Sequence, residues 1–455
     1  MLVSGWAKPA KLLKIEIETL KYQGKIIPQE LQDRINALDE REEDEQLLHS
    51  LKQELINCPV DSNFSYVQPD ELDEIRKNRP PRKYLIDKKV NEDKLFDLFH
   101  GAWLGRCTGC ALGKPVEMFA MAQGWKGLKN YLELRNDWPL EDFFSCKNAS
   151  DNIELPFPEC CKENISYMIG DDDIYYTLIG LSVLEKYGIS FNWHNVAETW
   201  DEILPYNMIC TAETQAILNY HIKKSREYLG DEPTITAEYT RSTNNPYREW
   251  IGAQIRADFW GWIAAGNPEL AAELAWRDAS WTHTANGIYG EMFIAAIEAA
   301  AFVEHDIHRL IEIGLQEIPE NCRLAEEIKL TVQKVDELKD FELFMQWHEE
   351  HFDGMNAVHT VNNASIVVMA LLLGNGDADK SICLSVAAGL DTDCNGATVG
   401  AIMGILKGAK NFGGILGAKL NDTLKVAIGG FGECKFADLA ERTLNVYKNV
   451  NKQEE

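Results

Sequence analysis

Positive charge is scarce in this chain: over 455 residues, 45 lysines and arginines face 72 aspartates and glutamates, a formal net charge of -27. A surface of that sign repels phosphate backbones and anionic headgroups, which argues against nucleic acid and against a membrane surface as partners. Long apolar runs are missing as well. No stretch reaches the ~18–20 residues of a membrane span. Met1-Leu-Val-Ser-Gly-Trp6 leads into a lysine-containing amphipathic segment, without an apolar core and small-residue cleavage site. A soluble, unexported, cytoplasmic protein is expected. Paired cysteine patterns are lacking too: the 11 cysteines are an odd number scattered along a large chain, which suits a reducing compartment. Cys107-x-x-Cys110 has no second pair to match it, nor has Cys160-Cys161, so buried thiols are expected rather than zinc ligands. Few β-branched runs alternate with period two, and neither βαβ alternation nor a fixed repeat is visible.

What remains is helix. Hydrophobic residues make up 45% of the chain, enough for a large core. In residues 1–90, Leu12, Leu13, Leu20, Leu31, Ile35, Leu38, Leu47, Leu48, Leu51 and Leu55 recur at helical spacing among charges. This reads as an N-terminal helical extension, either a dimerisation or partner arm or a packing appendage, closed off by Asn78-Arg-Pro-Pro-Arg82. Residues 91–455 read as an all-α domain, with helices expected near 196–204, 212–223, 257–265, 268–278, 290–303, 305–315, 322–338, 364–373, 380–388, 396–406 and 437–448. The segment 120–155 mixes Trp125, Tyr131, Trp138, Phe143 and Phe144 without a period. It reads as long loops and short helices, whose aromatics either stack on a ring ligand or pack locally.

The chemistry concentrates in two acidic helix starts. Gly170-Asp171-Asp172-Asp173 opens an apolar-periodic run, and so, far downstream, does Gly389-Leu390-Asp391-Thr392-Asp393-Cys394. One aspartate at either place would serve as a cap. Three in a row exceed what capping requires, and a divalent cation with oxygen ligands is the usual reason to hold adjacent anions together. Upstream, Gly101, Gly105, Gly109 and Gly113 lay a smooth stripe along one helix, for close helix packing or close approach of a ligand. Glu117 follows, where a glutamate beside a metal cluster is placed for acid or base work. Trp281-Thr-His283 and His359-Thr-Val-Asn362-Asn363 interrupt other helices, the first as a structural histidine and the second with an asparagine cap.

Taken in order, these motifs resemble the ADP-ribosylglycohydrolases, a family that includes ADP-ribosyl-dinitrogen reductase hydrolases and lens-crystallin relatives. The resemblance covers roughly residues 95–445. It rests on Gly105-x-x-x-Gly109-x-Ala-Leu-Gly113-x-Pro-x-Glu117, the Asp171 cluster, Gly252-Ala-Gln-Ile-Arg256, Thr282-His283 and Gly389-x-Asp391-Thr-Asp393-x-x-Gly396-Ala397. It implies a compact all-α fold with a cleft holding two Mg²⁺ ions, Mn²⁺ being the alternative. The implied reaction cleaves the glycosidic bond between ADP-ribose and a protein side chain or small acceptor. The implied metal ligands are Asp171, Asp172, Asp173, Asp391, Asp393 and Cys394, with Glu117, Asp172 and Asp393 in catalysis and His283 lining the ribose pocket. Asp171 stands where the family commonly has threonine, Ile174 replaces another threonine, Cys394 replaces a hydroxyl ligand, and Cys110 replaces an aspartate. These departures mark a divergent branch and keep two alternatives open: an ADP-ribose-binding or structural relative without turnover, and a hydrolase of another small N-riboside.

Overall fold

The computed structural model describes residues 2–84, 86, 90–147, 149–230 and 234–454. Its spine is set by the glycine stripe. Helix α5 spans Leu95–Gly113 once the four helices of the extension are counted: α1 (Pro9–Tyr22), α2 (Gln29–Asn36), α3 (Glu45–Ile56) and α4 (Leu72–Lys77). The chain continues through α6 (Glu117–Glu133), a long loop, α7 (Asp172–Tyr187), α8 (Trp193–Ile203), α9 (Thr211–Tyr228), α10 (Ala237–Ser242), α11 (Ala257–Ile263) and α12 (Pro268–Ala279). After these come α13 (Ala285–Ala301), α14 (Ile307–Leu315), α15 (Arg323–Leu338), α16 (Phe341–His351), α17 (Thr360–Gly374), α18 (Ala378–Ala387), α19 (Thr392–Lys407), α20 (Ala409–Phe412) and α21 (Phe436–Glu454).

Helices α5 and α19 run antiparallel, backbone against backbone. Gly101 faces Gly404, Gly105 faces Gly400 and Gly109 faces Gly396, while Gly113 meets the backbone of Thr392 and Asp393. A methyl group at any of these positions would strike the facing main chain. The stripe is therefore used for helix packing, and its geometric result is to bring the end of α5 against the beginning of α19. Around this pair, α13 and most of α17 are buried on all sides, as helices that are apolar all round should be.

Two features depart from the sequence reading. The 120–133 portion of the region expected to hold long loops and short helices belongs to the 17-residue helix α6, kinked where Gly124 takes a φ of 63°. A three-stranded sheet also forms: β1 (Met168–Ile169) lies parallel to β2 (Thr423–Lys425), which pairs antiparallel with β3 (Glu433–Lys435). Strands this short carry no periodic signal, yet β1 leads the chain directly into Asp171.

The extension packs inward. Leu13, Ile17, Leu20, Leu31, Ile35, Leu48, Leu51 and Leu55 form a small core of their own, while Leu12 packs with Ala212 and Tyr247 of the main body. Leu47 stays exposed. Polar bonds tie the seam: Arg248 to Glu16 at 2.9 Å, Gln23 to Glu249 at 3.0 Å, and Asn286 to Gln68 at 3.0 Å. No described helix is long and apolar enough to cross a membrane.

Candidate metal centre

Helix α7 starts with Asp171 as its N-cap, the carboxylate accepting from the Asp173 N–H at 3.2 Å. Capping uses one oxygen. The other pairs with the Lys114 ammonium, which sits just past α5, buried, with the exposed Phe157 ring 4.4 Å from its nitrogen. Arg106, also on α5 and fully buried, fixes the first turn of α7 from inside. It donates to the Asp173 carbonyl at 2.6 Å, the Ile255 carbonyl at 2.5 Å and the Asp258 carboxylate at 2.7 Å.

Helix α19 starts differently. Gly389 and Leu390 both adopt left-handed backbone, with φ of 76° and 59°, so the chain turns sharply before Asp391. Asp391 occupies the N-cap position but its side chain makes no capping bond, which leaves the carboxylate free for other work. Asn363 holds the loop instead: its side-chain oxygen accepts from the Asp391 N–H at 3.2 Å and from Asn395 at 2.8 Å. The Thr392 hydroxyl donates to the Gly113 carbonyl at 2.9 Å, fastening this helix start to the end of α5. At α17, His359 rather than an asparagine is the cap, accepting from the Val361 N–H at 3.2 Å. The adjacent amide Asn363 thereby serves the acidic loop, a role its sequence neighbourhood did not disclose.

The two helix starts meet. Ligand atoms of Cys110, Asp171, Asp173 and Asp393 lie within 4.8 Å of one another, and so do those of Asp391, Asp393 and Cys394. Asp171, Asp173, Asp391 and Asp393 are buried, while Asp172 and Glu117 are half-buried at the rim. The crowding is visible in the proton affinities. Burial and the Asp171 charge push Asp393 up to about 6. The Asp393 anion, followed by burial, pushes Glu117 up to about 9. Burial raises Asp172, Asp173 and Asp391 well above the usual carboxylate range, with neighbouring aspartates adding to it. Burial opposes the Asp171 anion too, but the Lys114 charge together with hydrogen bonds from Asp172, Lys114 and the Asp173 N–H keeps that group low. One oxygen each of Asp173, Asp391 and Asp393 is buried without a hydrogen-bond partner. Converging carboxylate oxygens without a hydrogen bond, at the positive ends of two helices, are a donor set that suits a hard divalent cation. Cys394 lies in the same cluster, with its thiol donating to the Asp173 carboxylate at 3.2 Å and burial raising its proton affinity.

His283 is placed elsewhere. It is fully buried, bonded to Thr282 at 2.8 Å through Nδ1, and burial lowers its proton affinity well below the ordinary value. It belongs to a network centred on Arg256, which donates to Glu213 at 2.7 Å, Asp278 at 2.7 Å and Thr282 at 2.9 Å. The Gly252 and Thr282 motifs thus meet each other rather than the carboxylates, and no face of His283 is open to a ligand. The aromatics of 120–155 resolve toward packing: Trp125, Tyr131, Phe143 and Phe144 are buried, and Trp138 stacks obliquely on Phe341. Lys114 and Arg106 are the residues the sequence left unmarked, and Asn363 was marked only within a helix start. Arg106 lies between motif glycines and Lys114 directly follows the last of them, and a cation in or beside an otherwise small and apolar stretch was the one available signal.

Residues 91–451 match the family model described as ADP-ribosylglycohydrolase. No curated protein matches the chain significantly. Among solved structures, a chain from an ADP-ribosylglycohydrolase-related protein complex is 17% identical, with a TM-score of 0.47; the match covers 79% of this chain and 99% of that one.

Proposed function

The chain belongs to the ADP-ribosylglycohydrolase family, a family of hydrolases, and from that premise we propose that it cleaves the glycosidic bond joining ADP-ribose to a protein side chain or small acceptor, with a divalent cation, Mg²⁺ or Mn²⁺, at the carboxylate cluster. The observation that carries this reading is the set of unpartnered buried oxygens on Asp173, Asp391 and Asp393 beside Glu117. Asp391 and Asp393, with Asp171, Asp172 and Asp173 around them, would hold the ion. Bound there, it supplies Lewis acidity and a fixed point for orienting vicinal ribose hydroxyls.

The remaining work falls to the protein. The carboxylates favour the positive charge that develops at the anomeric carbon as the bond breaks. Asp172, half-buried where Asp171 and Asp173 are buried, is the α7 carboxylate left for contact with substrate. Glu117 holds or releases a proton according to how much of the Asp393 charge is neutralised, since Asp393 is the largest cause of its raised affinity. Lys114 and Arg106 keep Asp171 and Asp173 in register, and His283 acts at one remove through the Arg256 network.

The test is release of free ADP-ribose from ADP-ribosyl-arginine, ADP-ribosyl-serine and O-acetyl-ADP-ribose, with Mg²⁺ or EDTA. Metal-dependent release from one linkage is expected, lost in Asp393→Ala and Asp172→Ala and reduced about 10²–10⁴-fold in Glu117→Gln. Retained turnover in both aspartate variants would sink the reading. The Cys394 thiol, spent as a donor to Asp173, favours a second reading, a relative that binds ADP-ribose without turnover. Folded, metal-loaded protein that releases nothing but binds ADP-ribose in calorimetry would establish it.

A further inference from the structure

Two liganding sets share Asp393: one is Cys110, Asp171, Asp173 and Asp393, the other Asp391, Asp393 and Cys394. The first set already contains a cation. The Lys114 ammonium is paired with Asp171 in the buried interior and lies 4.4 Å from the Phe157 ring. We propose that the Lys114 ammonium permanently occupies one of the two cation positions of this cluster, so that the chain takes up a single divalent ion, held at the Asp391 and Asp393 side.

Six carboxylates converge here, those of Glu117, Asp171, Asp172, Asp173, Asp391 and Asp393. Arg106 is bonded to Asp258 and to backbone carbonyls and stands 3.6 Å from the Asp173 carboxylate, while Lys114 is the cation paired with Asp171. A tethered ammonium cannot diffuse away when free metal is scarce, and its charge repels a second ion from the oxygens it contacts. Asp171 has no oxygen without a partner, both being taken by Lys114 and the Asp173 N–H, and the Asp173 oxygen that lacks a hydrogen bond lies 3.6 Å from Arg106, whereas Asp391 and Asp393 each keep one oxygen without a hydrogen bond.

The inference rests on the metal centre proposed above, and it is tested apart from turnover. Full-length protein is titrated with Mn²⁺ by calorimetry and examined by electron paramagnetic resonance. The wild type should bind one Mn²⁺ per chain with the hyperfine pattern of an isolated ion. Lys114→Met should bind two, with an exchange-coupled spectrum, whereas Lys114→Arg, which keeps the charge, should stay at one. Two ions in the wild type would overturn the inference while leaving the metal centre standing, and so would a folded Lys114→Met that still binds one. No Mn²⁺ binding by the wild type would overturn both. Circular dichroism reports whether Lys114→Met folds; if it does not, the wild-type stoichiometry and spectrum decide alone.

Discussion

Arg106 has no exposed surface, and each of its three bonds holds something the site depends on. Removing one member of a buried pair leaves the other charge stranded, which costs about 3–5 kcal/mol. Arg106→Leu should therefore lose stability of that order in urea unfolding, far more than any change at an exposed ion pair such as Lys126 with Glu349. A second residue-scale prediction concerns acid. Burial holds His348 down to about 4 and His359 down to about 3, against roughly 6.5 in an unfolded chain. Depressed histidines contribute stability that is present above the unfolded value and lost as pH falls toward the folded ones, because the unfolded state takes up protons first. Glu213, raised by burial to about 7, works in the opposite direction over part of the same window, so absolute melting curves mix the two. The difference isolates one of them. His348→Gln should shrink the loss of stability between pH 7 and pH 5 by roughly 2 kcal/mol relative to wild type, measured by denaturant unfolding at each pH.

At the scale of elements, the decisive contact is α5 on α19. In an isolated helix, Gly105→Ala would gain about 1 kcal/mol from backbone propensity. Here the added methyl meets the Gly400 carbonyl, main chain that cannot rotate aside. Overpacking of that kind costs about 1–3 kcal/mol or more, so the net sign should be destabilising, read as a lower melting temperature. Gly113→Ala presses on the Thr392 and Asp393 backbone instead. It should lower Mn²⁺ affinity as well as stability, whereas Gly105→Ala should change stability with little effect on Mn²⁺ binding. The two substitutions together separate packing of the spine from placement of the ligands.

At the scale of the molecule, the extension and the main body share satisfied polar groups across their seam. Asp70 accepts from the Ala285 N–H at 2.7 Å, the Tyr289 hydroxyl donates to the Pro69 carbonyl at 2.5 Å, and Arg76 pairs with Glu273 at 2.6 Å. A chain beginning at residue 91 should leave these partners unpaired and melt lower than the full chain, or aggregate, while the full chain unfolds in one calorimetric transition. Composition and periodicity by themselves determined the all-α class and the inward faces of the helices, because burial of a stripe every 3.6 residues is a local property of the chain. They also marked Asp171 to Asp173 and Asp391 to Asp393, since repelling anions in sequence are costly wherever the chain places them. That the two acidic starts share one site was expected from the resemblance; only the tertiary structure decided that Lys114 pairs with Asp171 and that His283 lies buried in the Arg256 network. Those pairings join residues far apart in sequence, and no local periodicity encodes which distant backbone a stripe of glycines will admit.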